Sequence, residues 1–397
     1  MFILVSGCII GRTVFQWLQN QVSTKCNDQP TLPNNVKHWS LLMQKRGGLN
    51  IDYLNMTLRD YNDLWKEIDN QRVLFHPTIA PDGHIVEEEF KRHRSELSII
   101  IDNNILIDLI SLCRNGYLND KERMRSTASL MLWVELYKLS MTSGQAMQEK
   151  AARFDSTALL DDFSIFKRLW NDYSPQQWQL LRHGDIAELP IIDGNSVIKS
   201  DVSIYMEKPD AYYQAYASVL KIVSLLRDGN HNGFQRARSF IEWSYNNTRV
   251  SKYIIAYGLL LLMGKEEGIK VPKKAFSTNV TEVFKGCENQ AWDLASISAW
   301  SQLLYMKEQG IIPDMYMYAT RDMMLKRILE AVIKSNDMMP LFQSVFNRRE
   351  LNEILDIISK LRTQEKNEKL DSLINPDSLR LLALSEENNL KKIISSY

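Results

Sequence analysis

Cysteine is scarce in this chain of 397 residues, and its four copies, Cys8, Cys26, Cys113 and Cys287, stand far apart. None forms a C-x-x-C pair or sits beside a histidine cluster, which argues against a disulfide framework and a structural zinc site and suits a reducing compartment. Histidine is equally sparse. His38, His76, His84, His93, His183 and His231 include no H-x-x-x-H pair, so a zincin-like centre is disfavoured. The chain also lacks G-x-x-x-x-G-K-[ST], G-x-G-x-x-G and G-x-S-x-G, the usual signals of nucleotide-driven motors, dinucleotide enzymes and serine hydrolases. Net charge is missing too, because Lys+Arg and Asp+Glu both number 48, so the molecule as a whole does not advertise a polyanionic partner. Any phosphate affinity has to come from local clusters.

Long apolar runs are absent as well. No uncharged stretch approaches the roughly 18 residues of a membrane span, and Tyr253 to Met263 is too short to cross a bilayer. Val5-Ser6-Gly7-Cys8 has the form of a lipoprotein cleavage box. However, no basic residue precedes it, and the apolar stretch is shorter than the roughly 7 to 15 residues a signal needs. The expectation is a cytoplasmic protein with no membrane attachment.

With 45% hydrophobic and 24% charged residues, the chain has enough apolar surface for one large core or two ordinary ones. Residues 1–95 read as an N-terminal extension, punctuated by Pro30, Pro33, Pro77, Pro81 and Gly83. At Leu97-Ser-Ile-Ile-Ile-Asp102 the pattern changes to a short, continuous apolar run ending in an acid, the signature of a strand buried on both faces. Ile105, Leu106, Leu109, Ile110 and Cys113 then share one helical face, with Asn115-Gly116 as the stop and Asp108 expected on the solvent side. A second helix is predicted over Lys121 to Tyr137, a short strand at Leu139 to Thr142, and a helix from Gln145 to Arg153 that carries Glu149.

Residues 155–285 read as mainly helical, and strand and helix alternation resumes near Asn289. A helix is expected over Asn289 to Met306, with Asp293 near its start, then a strand at Met315 to Thr320 and a helix from Asp322 to Ile333. Residues 337–397 read as helical and charged, and Pro376 separates two helices.

Four segments in this order resemble the PIN-like nuclease superfamily: Ile99-Ile-Ile-Asp-Asn-Asn-Ile-Leu-Ile-Asp108, Thr142-Ser-Gly-Gln-Ala-Met-Gln-Glu149, Ala291-Trp-Asp-Leu-Ala295 and Tyr318-Ala-Thr-Arg-Asp-Met-Met-Leu325. The resemblance implies an α/β fold with a parallel sheet flanked by helices, its core formed by residues 96–154 and 286–336. Residues 155–285 become a large helical insertion and 337–397 a helical C-terminal region. By the same resemblance, Asp102, Glu149, Asp293 and Asp322 are the catalytic acids and hold Mg²⁺ or Mn²⁺, with Glu135 as the competitor for the second place.

Clustered carboxylates need such a cation. Two of them ~5 Å apart repel by roughly 3 kcal/mol at an effective dielectric of about 20. Hard divalent ions take oxygen ligands, keep waters, and can both activate one of them and stabilise charge on a phosphate. Asn103 and Asn104 are placed to support the first acid by hydrogen bonding or to act as ordinary caps, Thr320 to orient Asp322, and Arg321 to touch phosphate or to stand exposed without a role.

The expected activity is a metal-dependent endoribonuclease, a hydrolase of RNA phosphodiester bonds, of the kind that bacterial toxins and defence effectors employ. Lys91 to Arg94, Lys121 to Arg125 and Arg236 to Arg238 are candidate RNA-backbone contacts, and Trp170, Trp178 and Trp243 candidate stacking platforms. Solvated charge and core packing are their ordinary alternatives. Two other readings compete. One is a non-catalytic PIN-like scaffold whose helical insertion binds an inhibitor, another protein or nucleic acid. The other is a mainly helical interaction protein in which the acids are accidental.

Overall fold

A computed structural model describes residues 57–152, 156–192, 205, 207–264, 269–333, 338–365 and 375–396. The cleavage-box segment and the early stretch ended by Pro30 and Pro33 lie outside the described residues. The chain divides into two compact units. Among the described residues, those from 57 to 207 with 312–321 form one, here the sheet unit, and those within 208–311 and 322–397 form the other, the helical unit.

The sheet unit runs α1 (Leu58–Gln71), β1 (Leu74–Phe75), α2 (Glu87–His93), a 3-10 turn (Arg94–Glu96), β2 (Leu97–Ile101), α3 (Asn103–Asn115), α4 (Lys121–Tyr137), β3 (Ser140–Thr142), α5 (Gly144–Ala151), α6 (Ser156–Asp172) and α7 (Pro175–His183). Its last strand, β4 (Met315–Ala319), arrives from the far end of the sequence. The sheet order is β1-β4-β2-β3. β2 lies parallel to both β3 and β4, whereas β1 runs antiparallel to β4. The sheet is therefore mixed, not wholly parallel as expected, because the two-residue β1 closes the β4 edge in the opposite sense.

Every residue of β2 is buried, which accounts for its unbroken apolar run. α3 ends as the sequence predicts, with Gly116 at φ 79 in the left-handed conformation that glycine adopts without steric cost. Residues 57–95 contribute α1, β1 and α2 to the same core. There Trp65, Phe90, Trp133 and Tyr137 pack edge-on or tilted, with ring centroids 4.8 to 6.3 Å apart.

The helical unit comprises α8 (Asp210–Arg227), α9 (Gly233–Asn247), α10 (Lys252–Met263), α11 (Val280–Glu308), α12 (Met323–Ile333), α13 (Met339–Val345), α14 (Arg348–Glu365) and α15 (Pro376–Ser395). α10 is apolar nearly all round because it is buried nearly all round. Its Gly258 lets Phe240 of α9 approach so closely that a Cβ would lie 2.2 Å from the ring. Among the described residues no helix is long and apolar enough to cross a membrane. The C-terminal α15 is anchored by hydrogen bonds from Tyr216 Oη to Glu387 and from Trp243 Nε1 to Glu386.

Candidate active site at the strand edge

β2 stands between β3 and β4, all three parallel, so their C-terminal ends share one edge of the sheet. In open α/β sheets that edge is where ligands bind. The register Ile101↔Ala319 brings the end of β4 beside the end of β2, and the Asp102 amide donates to the Ala319 carbonyl at 2.8 Å.

Asp102 is 4% exposed and caps α3. Its Oδ1 accepts from the Asn103 amide at 2.7 Å. Its Oδ2 accepts from Asn104 Nδ2 at 3.2 Å and from Thr320 Oγ1 at 2.8 Å. The first of these comes from the first amide of the helix, whose dipole favours the negative charge. The others are more specific, since they fix the second carboxylate oxygen from two directions. Thr320, itself wholly buried, thus holds Asp102. Its own amide bonds to the Val73 carbonyl at 2.8 Å, which ties it into the β1 edge.

Asp108, expected on the solvent face of α3, is 4% exposed. It accepts from Arg123 Nε at 2.7 Å and from Arg321 Nη1 at 2.5 Å, and Arg321 Nη2 also reaches Ser126 Oγ at 3.1 Å. Arg321 is accordingly turned inward onto a carboxylate. Burial lowers its guanidinium pKa, an effect opposed by the charge of Asp108. Thr320 and Arg321, consecutive at the end of β4, therefore grip two acids at Asp102 and Asp108.

Glu149 lies on α5, is 5% exposed, and so is not a solvated face residue. The next residue, Lys150, pairs with Asp162 of α6, to which Arg114 Nη2 of α3 also approaches at 2.7 Å. This ion-pair network fastens α3, α5 and α6 to one another. The competitor Glu135 sits half-buried in the last turn of α4 with Lys138 Nζ 3.4 Å away, and burial pushes its carboxyl pKa up.

The other two acids belong to the helical unit. Asp322 caps α12, accepting from the Leu325 amide at 2.9 Å. Asp293 was expected near a helix start and instead lies well inside α11, half-buried, with Gln290 Nε2 at 3.5 Å. The helix begins earlier because Asn279 caps it through the amides of Thr281 and Glu282. The four sequence-read acids are thus divided between the units, Asp102 and Glu149 in one and Asp293 and Asp322 in the other. Among the described residues no three of His, Cys, Asp and Glu gather as a cation site.

The basic clusters carry acidic partners. Lys91 pairs with Glu87 and Arg92 with Glu89, Arg123 with Asp108, and Arg238 with Glu242 and Glu353. Trp178 is a core residue, wholly buried, and only Trp170 of the three candidate stacking residues counts as exposed. Sequence reasoning missed Asp108 as the partner of Arg321. The partner of Asp108 comes from the end of a distant strand, so no local signal announced it. Compared with family models, with curated proteins and with solved structures, this chain gives no match.

Proposed function

We propose that the chain is a metal-dependent endoribonuclease whose acidic site is built around Asp102. The observation that carries this reading is the buried Asp102 carboxylate at the end of the central parallel strand, oriented by donors from Asn103, Asn104 and Thr320. An acid held in advance is what a hydrolytic site requires, because no reorganisation is then needed when charge develops. Glu149, the other buried acid of the sequence-read set in the same unit, is the second proposed ligand.

The donor chemistry fits a hard divalent ion. Mg²⁺ is commonly bound through one or two carboxylates together with waters and substrate phosphate, so two acids from this unit suffice. When bound, such an ion lowers the pKa of a coordinated water and neutralises charge on the phosphate. Asp102 and Glu149 supply the oxygen ligands, and Thr320 and Asn104 keep the Asp102 oxygens in place. Asp293 and Asp322 complete the sequence-read set of four, and their participation is tested by single asparagine substitutions. The preference for RNA, and a role as a toxin or defence effector, rest on the resemblance of the four acidic segments.

The test is cleavage of single-stranded RNA by purified protein with Mn²⁺. Asp102→Asn is expected to lower the rate at least about a hundredfold, on the scale of losing a transition-state contact. Unchanged activity would end the catalytic reading. The pairing of basic clusters with acids favours a second reading, a non-catalytic scaffold that engages a partner through its helices. Thermal melts separate the two. A nuclease gains stability from Mn²⁺ in a way that Asp102→Asn abolishes, whereas a scaffold shows no such gain.

A further inference from the structure

Ile100 and Thr142 are the last paired residues of β2 and β3, and three positions beyond them stand Asn103 and Gln145. Each lies in the first turn of the helix that follows its strand, and those helices, α3 and α5, pack against each other. The two side chains are 8% and 7% exposed. Even so, Asn103 Oδ1 and both Gln145 Oε1 and Nε2 have no hydrogen-bond partner. Exchanging the oxygen and nitrogen of Gln145 changes nothing, because neither atom is satisfied. A buried amide left unpaired carries its full desolvation cost, so unpaired groups in a native fold call for a reason. At the start of α5 Ser143 makes no side-chain cap, and the Gly144 amide donates to Thr142 Oγ1 at 3.4 Å. Asn104, Met141 and Thr142, close by in sequence, are half-exposed.

We propose that Asn103 and Gln145 read the ribose and phosphate of a bound ribonucleotide. The inference rests on the nuclease reading above and names what distinguishes RNA from DNA in it. The unpaired set consists of one donor, Gln145 Nε2, and two acceptors, Gln145 Oε1 and Asn103 Oδ1. A phosphodiester offers acceptors alone, so it satisfies Nε2 and leaves both oxygens unpaired. A 2′-hydroxyl next to that phosphate donates a proton to one of them. Deoxyribose has no such donor, and a site built to bond a hydroxyl rejects the analogue lacking it far more strongly than an apolar pocket does. The Asp102 carboxylate, adjacent in sequence to Asn103, then lies next to the phosphate that the same nucleotide presents.

The test compares kcat and KM on a ten-nucleotide single-stranded RNA and its all-DNA counterpart, with Mn²⁺, for wild type, Gln145→Met and Asn103→Leu. These substitutions keep the side-chain shape and remove the polar atoms. The expected result is a KM for RNA raised about tenfold or more, a smaller change for DNA, and a Mn²⁺-induced melting shift equal to that of wild type. The metal-free melting temperature should stay level or rise, because an unsatisfied buried amide has been removed; a purely structural amide would lower it. An unchanged RNA-to-DNA ratio in both variants, or wild type that cleaves RNA and DNA equally, overturns this inference and leaves the nuclease reading standing. Wild type that cleaves neither overturns both.

Discussion

Replacing Asp108 with alanine removes the carboxylate to which two guanidinium groups donate, and the cost can be apportioned between them. Arg321 is the larger part. Its side chain is 15% exposed and that of Asp108 5%, so the pair is buried and little screened. Breaking a buried pair by deleting one partner costs about 3–5 kcal/mol, because the remaining charge is left uncompensated. Arg123 is 43% exposed, can turn to water, and adds about 0–1 kcal/mol. Asp108→Ala should therefore destabilise the sheet unit by about 3–5 kcal/mol in urea unfolding, and the loss should persist at about 1 M salt. An Asp108→Leu/Arg321→Met double variant should recover most of it, since a buried pair replaced by apolar side chains of similar size is often neutral. A loss within about 0.5 kcal/mol for Asp108→Ala, as for an ordinary surface aspartate, would refute the assignment of Asp108 as a buried anchor.

Thr320→Val keeps the shape of a buried side chain and removes its bond to Asp102, so it should cost about 1.5–3 kcal/mol and weaken the Mn²⁺-induced melting shift; a fully retained shift would argue against the positioning role. His76 is buried, its Nδ1 accepts from the amides of Thr78 and Ile79, and burial brings its pKa down from 6.5 to about 4. The unfolded chain therefore takes up the proton first. The His76 contribution is complete above about pH 6.5 and is lost as pH falls towards 4, by at most about 3 kcal/mol. A His76→Gln variant should show a flatter decline in urea midpoint over that range, and an unchanged slope would contradict it. Gly286→Ala would place a Cβ 1.8 Å from the Lys273 carbonyl oxygen, a backbone atom that cannot swing aside. It should lower the stability of the helical unit by about 1–3 kcal/mol or more, and a melting temperature equal to that of wild type would show the approach to be looser.

The elements legible in the sequence are those whose signal is local. Leu97 to Ile101 reads as a strand because its run is apolar on both faces, and the end of α3 reads from Asn115-Gly116. β1 was not legible. It is two residues long, and only its pairing with β4, from the far end of the chain, makes it a strand. α11 starts at Val280 and not at Asn289, because Asn279 provides a cap upstream of the apolar stretch that drew attention. That shift moved Asp293 from a helix start to a helix interior. Asp108 looked exposed since it departs from the apolar stripe of Ile105, Leu106, Leu109 and Ile110. Its burial depends on Arg321, whose arrival is set by the register of β4 against β2. The same register supplies Thr320 to Asp102, so the position of that acid at a strand end was visible in the sequence, but not the side chain that fixes it.

The most direct measurement is the initial rate of RNA hydrolysis with and without Mn²⁺, for wild type and for Asp102→Asn, under otherwise identical conditions. The account predicts cleavage that requires the ion and falls by at least about two orders of magnitude in the variant. Cleavage independent of Mn²⁺, or equal in the two proteins, would contradict it.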